Sequence, residues 1–274
     1  MAEKSAKHKL AVLGAGKMGG ILVQGFLKHK LASPGAIWAT LSHKEKTASR
    51  SADLGVKIGT DNREAVKRAD VVLVCVKPQT VGDVLDEIKE EVTPEKVVIS
   101  IAASVPTSFI EARLPARTPV IRAMPNTPSI LGAGITGLAA GQAVKPAQME
   151  MARRLFETVG KTIVVDEKHM DAVTALSASG PAYIYIILES LAEAGVKVGL
   201  PRDLATLLAA QTTLGAARMV LETGDHPALL KDAVTTPAGC TIDGIMELEE
   251  GKLRVTLIKA VVKATQRAKE LMFA

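Results

Sequence analysis

The chain has 274 residues, of which 47% are hydrophobic and only 3% aromatic, and its formal net charge is +5. This length allows one large domain or two ordinary ones with a substantial core. The scarcity of aromatic side chains argues against a stacking surface for single-stranded nucleic acid, and the scattered basic residues favour a small anionic ligand over a polyanion. Two cysteines, Cys75 and Cys240, form no disulfide framework, and residues 1–8 do not resemble a signal peptide. We therefore expect a cytoplasmic protein in which no stretch is long and apolar enough to span a bilayer.

The first predicted element is a buried parallel strand at the apolar run Leu10–Leu13. Gly14, Gly16 and Gly19 follow at the spacing G-x-G-x-x-G and lead into a segment that can form a helix. In a dinucleotide site the first glycine allows a tight turn, the second lets the backbone approach a pyrophosphate, and the third lets the helix pack on the strand. The first-turn amides of the helix then hold the phosphates. The candidate cofactor residues of this loop are Gly14, Gly16, Lys17, Met18 and Gly19.

Strands and helices alternate through the rest of the first 165 residues. Further strands are predicted at 36–41, 56–58, 70–76, 96–101, 120–124, 134–138 and 162–165, and helices at 44–54, 62–69, 81–91, 107–114 and 147–159. This alternation indicates right-handed βαβ units and a doubly wound parallel sheet of the Rossmann type.

From residue 166 to the end, every predicted element is a helix. The helices are expected at 171–179, 182–196, 202–222, 227–235, 241–248 and 252–272, with glycine and proline between them. A helical module so poor in aromatic side chains would be marginally stable alone, so we expect it to pack against a second copy in a symmetric dimer. The fold class is thus α/β, with a Rossmann-type dinucleotide-binding domain (1–165) followed by an all-α dimerisation and substrate-binding domain (166–274).

The residues after the second predicted strand bear on the choice of dinucleotide. An NAD site usually has Asp or Glu at the end of that strand, whereas here Ser42, His43 and Lys44 follow it, with no acid before Glu45. A hydroxyl and a cation suit the additional phosphate of NADP, and the alternative is that these residues are plain loop surface. We expect NADPH as cofactor, with NADH as a weaker one. Further cofactor contacts are expected at the carboxyl ends of later strands, at Val76, Lys77, Pro78, Ala102, Ala103, Met124, Pro125 and Asn126.

Five motifs resemble, in chain order, the signatures of the pyrroline-5-carboxylate reductase family. They are Gly14–Gly19, Cys75–Pro78, Arg122–Pro128, Ser177–Tyr183 and Thr236–Thr241. The resemblance covers nearly the whole chain, and the last two motifs are the most particular to this family. It implies NADPH-dependent reduction of the cyclic imine 1-pyrroline-5-carboxylate to L-proline, the last step of proline biosynthesis. It also implies a Rossmann domain with a helical dimerisation domain, and dimers that often assemble into larger rings.

The substrate of such a reaction needs a site for its carboxylate and its ring nitrogen. Ala238, Gly239, Cys240 and Thr241 form a small-residue loop that opens a predicted helix, so its amides can bind a carboxylate. The Thr241 hydroxyl can hydrogen-bond the ring nitrogen or the carboxylate, a role that the resemblance also implies; the alternative is a plain helix N-cap. No His, Cys or carboxylate stands out as a general acid, and the histidines and cysteines lack metal-ligand spacing. Thr241 is therefore the one catalytic candidate, and no metal is expected.

Three positions depart from the family pattern. Ala178 and Ala238 stand where the family usually has glycine, and Ala233 stands where a polar residue is commoner. If position 238 has a positive φ, alanine would strain the loop by about 1 kcal/mol. Three alternatives stay open: a reductase of another imine, a β-hydroxyacid dehydrogenase, and a dinucleotide-binding regulatory protein without turnover. The dehydrogenase would need a catalytic lysine on the helix joining the domains, where 171–180 contains none.

Overall fold

The computed structural model describes residues 8–271, and one sheet of eight strands organises its first half. The strands are β1 (Leu10–Leu13), β2 (Ile37–Thr40), β3 (Lys57–Gly59), β4 (Val71–Val74), β5 (Val97–Ser100), β6 (Val120–Met124), β7 (Gly134–Ala140) and β8 (Gly160–Val164). Their order is β3-β2-β1-β4-β5-β6-β7-β8. Neighbours pair in parallel except β6 and β7, which are antiparallel. The prediction of a wholly parallel sheet is wrong there, because the connection holds only the short 3-10 helix Thr127–Leu131 and a parallel crossover needs about a dozen residues or more.

Helices cover both faces of this sheet. They are α1 (Lys17–Lys28), α2 (Thr47–Leu54), α3 (Asn62–Lys67), α4 (Val81–Ile88), α5 (Thr107–Glu111) and α6 (Pro146–Glu157). Alternate residues of β1 enter different core clusters: Leu10 and Val12 join the cluster of Phe26 in α1, whereas Leu13 joins that of Leu85 in α4. All four β1 residues are buried, which is why this strand shows no polar alternation.

The chain after β8 is helical, as the sequence predicts. It continues with α7 (Met170–Val173), a π-helical turn (Thr174–Ala178), α8 (Gly180–Lys197), α9 (Arg202–Thr223), α10 (Pro227–Ala233), α11 (Cys240–Glu250) and α12 (Leu253–Glu270). Gly180 and Pro181 do not lie between two helices as predicted, but form the first turn of α8. Proline is tolerated there because a first-turn residue needs no amide hydrogen for the helix.

The chain folds into two compact units. One extends to Ala178 and takes in the C-terminal residues from Ala264, and the other is Ser179–Lys263. The first unit continues past residue 165 because Met170 is buried in a cluster with Met124 of β6. The division into domains at residue 165 remains a prediction.

Two helical segments are long and apolar enough to cross a membrane by length and composition alone. They are Glu167–Lys197 and Arg202–Thr223, with mean hydropathies of 1.2 and 1.3, so the expectation that no stretch meets this criterion is wrong. Large apolar side chains along both segments are exposed in the single chain, among them Tyr185, Ile186 and Leu207. Exposed apolar side chains in such number are normally covered by a partner.

Candidate functional site

The glycine loop lies where the order of the sheet changes direction. β1 lies between β2 and β4, and the chain runs outward from β1 first to one side and then to the other. Open α/β sheets bind ligands at the carboxyl ends of the strands at this point. The amides of Gly14 and Ala15 both donate to the carbonyl oxygen of Thr40 at the end of β2, at 3.1 and 2.8 Å. These two hydrogen bonds fix the loop to the neighbouring strand.

The three glycines of the loop are needed for different reasons. Gly14 has φ +97°, and a Cβ there would lie 2.9 Å from the carbonyl oxygen of Cys75. A Cβ on Gly19 would overlap the carbonyl oxygen of Gly14. The protein's own packing thus requires these two glycines. At Gly16 a Cβ would meet no protein atom within 4 Å, so the space in front of this residue is open to a ligand.

An open groove of about 720 Å³ lies beside the loop. Its lining includes Gly16, Lys17, Leu41, Glu45, Lys46 and Arg50. Three of these side chains are cationic and one is acidic, so the groove suits an anionic ligand. Ser42, His43 and Lys44 are exposed in the loop that precedes this lining, and His43 Nδ1 is 3.3 Å from Glu45 Oε1. The structure therefore brings Lys46 and Arg50 into the groove rather than the three predicted residues.

The other predicted cofactor residues follow β4, β5 and β6, which are adjacent and parallel. Their carboxyl ends therefore share one edge of the sheet with the glycine loop. Val76, Lys77 and Pro78 follow β4 with Lys77 exposed, and Ala102 and Ala103 follow β5 with Ala102 buried. Met124 ends β6, Pro125 and Asn126 follow it, and all three are buried. The Asn126 side chain already has two partners: it accepts from the amide of Ile135 (3.0 Å) and donates to the carbonyl of Ser177 (3.2 Å). It thus holds neighbouring segments together, and its contact with the cofactor stays a prediction.

A buried arginine with acidic partners was not recognised from the sequence as an ion-pair site. Arg122 in β6 is only 3% exposed. It donates to Asp171 Oδ1 at 2.9 Å, and its Nη1 lies 3.8 Å from Glu167 Oε1. Glu167 also accepts from the amide of Thr107 at 2.6 Å. A cation inside the apolar run Val120–Met124 was the available signal, and the cluster ties the segment after β8 to β6.

The predicted substrate loop forms the N-terminus of α11. Ala238 has φ +57°, a left-handed conformation that favours glycine. The condition set for strain is therefore met, and alanine strains this loop by about 1 kcal/mol. Gly239, not Thr241, is the N-cap, and the alternative of Thr241 as a plain cap is wrong. Thr241 is half-buried in the first turn, and its hydroxyl has no hydrogen-bond partner within residues 8–271. That hydroxyl and the first-turn amides are available to a ligand.

The two cysteines differ in environment. Burial raises the pKa of the Cys75 thiol to about 12, whereas Cys240 is exposed at the start of α11. Cys75 therefore stays protonated at neutral pH. Among residues 8–271 no group of three or more His, Cys, Asp or Glu side chains could hold a metal ion.

Known proteins with similar sequences decide the family. A family model described as pyrroline-5-carboxylate reductase dimerisation matches residues 167–271, and one described as NADP oxidoreductase, coenzyme F₄₂₀-dependent, matches residues 9–104. A pyrroline-5-carboxylate reductase of Methanosarcina acetivorans is 45% identical over 264 residues, which are 96% of this chain and 98% of the relative. The chain belongs to the pyrroline-5-carboxylate reductase family.

Other members of this family agree along the whole chain. A pyrroline-5-carboxylate reductase of Arabidopsis thaliana is 40% identical, covering 96% of this chain and 95% of its own. The solved structure of the reductase from Coxiella burnetii has a TM-score of 0.89 at 40% identity and covers 97% of this chain and 98% of its own. The Plasmodium falciparum structure, which has NADP bound, has a TM-score of 0.88 at 30% identity, with 97% and 98% covered. The predicted family and fold class are confirmed.

Proposed function

We propose that this protein reduces 1-pyrroline-5-carboxylate to L-proline with NADPH, the last step of proline biosynthesis. The observation that carries the proposal is the open space in front of Gly16, at the point where the strand order of the sheet changes direction. The match of this chain to pyrroline-5-carboxylate reductases over nearly its full length supports it.

The glycine loop provides the binding site for the cofactor's pyrophosphate. The amides of Gly16 and Lys17 donate no hydrogen bond to any group within residues 8–271, and they lie at the positive end of the 12-residue helix α1. Lys46 lines the groove beyond the loop, where a cation favours the additional phosphate of NADPH over NADH. NADPH, when bound, supplies a hydride to the carbon of the C=N bond.

The loop before α11 holds the substrate. Its candidate contacts are Ala238, Gly239, Cys240 and Thr241. The first-turn amides of α11 bind the carboxylate, and the Thr241 hydroxyl hydrogen-bonds the ring nitrogen or the carboxylate. An imine that is protonated on nitrogen accepts the hydride more readily, and this proton comes from solvent or with a substrate that is already protonated. The role of this chain's residues is to bind and orient the imine.

The helical unit forms a homo-oligomer. The matched family model is named for dimerisation, and α8 and α9 expose Ile186, Leu207 and Leu221 to more than 60% each. A homodimer, alone or within a larger assembly, buries this apolar surface against a second copy of the chain. The surface is then covered by protein and not by a membrane. A cytoplasmic location and the absence of nucleic-acid and membrane partners belong to the same proposal.

NADPH oxidation by the purified protein with 1-pyrroline-5-carboxylate tests the proposal, with NADH and a six-membered cyclic imino acid in parallel. In Thr241→Ala we expect kcat/KM to fall about tenfold to a hundredfold, because a hydrogen bond to a charged group contributes about 1.5–3 kcal/mol. Thr256→Ala is the matched control, because the Thr256 hydroxyl in α12 donates to the carbonyl of Lys252, four residues earlier in the chain. Turnover of the six-membered imine alone would change the substrate, and tight NADPH binding without any turnover would identify a regulatory binding protein.

A further inference from the structure

Arg50 reaches the glycine loop from a helix 34 residues further along the chain. It lies in α2, and its Nε donates to the carbonyl of Ala15 at 3.1 Å while its Nη2 donates to the carbonyl of Gly16 at 3.0 Å. Its nearest carboxylate within residues 8–271 is that of Asp53, at 4.0 Å. The two hydrogen bonds of the guanidinium therefore go to the loop carbonyls.

These two carbonyls belong to the peptide groups that face the pyrophosphate site. The carbonyl of Ala15 shares a planar peptide unit with the amide of Gly16, and the carbonyl of Gly16 shares one with the amide of Lys17. The carbonyl of Gly16 also accepts from the amide of Gly20 at 2.9 Å. Fixing the direction of each carbonyl fixes the opposite direction of each amide, and Arg50 contributes a hydrogen bond at both peptide units. A cationic donor at the oxygen also polarises the peptide and strengthens the N–H as a donor.

A glycine in α1 makes room for this arrangement. A Cβ on Gly20 would overlap Nη2 of Arg50, and no other residue lies among its nearest contacts. Glycine inside a helix is less stable than alanine by about 1 kcal/mol. The space that Gly20 leaves is filled by the guanidinium, which gives this glycine a packing reason independent of the G-x-G-x-x-G motif.

We propose that Arg50 is a positioning residue for the cofactor: it holds the peptide groups of Ala15–Gly16 and Gly16–Lys17 so that their amides face the pyrophosphate, in a space that Gly20 leaves free. This inference rests on the proposed use of NADPH. It concerns the pyrophosphate, which NADPH and NADH share, and not the additional phosphate.

The test is the dissociation constant of each dinucleotide, measured by titration calorimetry without the imine. In Arg50→Ala we expect both NADPH and NADH to bind about tenfold to thirtyfold more weakly, because a bidentate cationic donor is lost. Arg50→Lys should not restore binding, since an ammonium cannot reproduce the planar fork. In steady state, the KM for NADPH should rise while kcat and the KM for the imine change less than twofold. Arg154→Ala, which removes an exposed arginine from α6, is the control for charge alone and should bind normally.

Gly20→Ala provides an independent test that keeps Arg50 in the chain. Its methyl group displaces the guanidinium, so it should weaken both dinucleotides as Arg50→Ala does, and the double variant should bind no worse than Arg50→Ala. The inference is overturned if the two substitutions are additive, if Arg50→Lys binds like the wild type, or if NADPH binding falls while NADH binding is kept. The last result would mean that Arg50 contacts the additional phosphate itself. Wild-type protein that binds NADPH without reducing the imine would refute the proposed reaction and leave these binding tests intact.

Discussion

Gly16→Ala would separate cofactor binding from folding at the glycine loop. The added methyl group meets no protein atom within 4 Å and φ is negative, at −69°, so the free energy of unfolding should fall by no more than about 1–2 kcal/mol. The same methyl group occupies the space through which a phosphate reaches the loop amides. One hydrogen bond to a charged group contributes about 1.5–3 kcal/mol, and we therefore expect the NADPH dissociation constant to rise about tenfold to a hundredfold.

Titration calorimetry with NADPH and urea unfolding without cofactor measure the two quantities separately. Gly14→Ala is the contrasting variant, because its φ is +97° and its Cβ would lie 2.9 Å from the carbonyl oxygen of Cys75. It should lose stability as well as binding. If Gly16→Ala binds NADPH as tightly as the wild type, the pyrophosphate does not pass in front of Gly16 and the argument from open space is refuted.

Three further predictions concern stability and thiol chemistry. Arg122→Met leaves Asp171 without its guanidinium partner, and breaking such a pair should lower the free energy of unfolding in urea by about 3 kcal/mol; a loss below about 1 kcal/mol would contradict the assigned role of the cluster. Ala238→Gly removes the strain of a left-handed alanine but raises the conformational entropy of the unfolded chain, so the free energy of unfolding should rise by only about 0.5 kcal/mol. A destabilised variant would argue against the strain. A maleimide at about pH 7.5 should label the exposed Cys240 quickly and the partly buried Cys75 slowly until the chain unfolds, because burial raises the pKa of the Cys75 thiol to about 12 and the thiolate is the reactive form; equal labelling rates in the folded protein would contradict this protection of Cys75.

Local patterns predicted most of the secondary structure. The apolar run Leu10–Leu13 forms β1, and the glycine spacing after it leads into α1. Asp61 caps α3 by accepting from the amide of Glu64 at 2.9 Å. Proline at 201 precedes α9, as expected for a helix start. Each of these signals depends on residues within about one helical turn or one strand.

The corrections have two origins: how neighbouring elements connect, and contacts between distant parts of the chain. The short connection after β6 turned β7 antiparallel, and Gly180 joined α8 instead of ending a helix. Arg50 and Arg122 have partners that lie 34 to 49 residues away, and no periodicity in the sequence brings such residues together.

The sequence by itself determined the class of the protein: a Rossmann-type sheet with a phosphate loop, a helical second part, and motifs that identify the family. This was possible because buried strands, glycine turns and helix caps are specified by neighbouring residues. Only the tertiary structure decided which cations line the groove, that Thr241 lies inside the first turn of α11 and not at its cap, and that Arg50 holds the glycine loop. Those features depend on where the folded backbone places side chains that are far apart in sequence, and the directions of individual carbonyls and hydroxyls exist only once that backbone is formed.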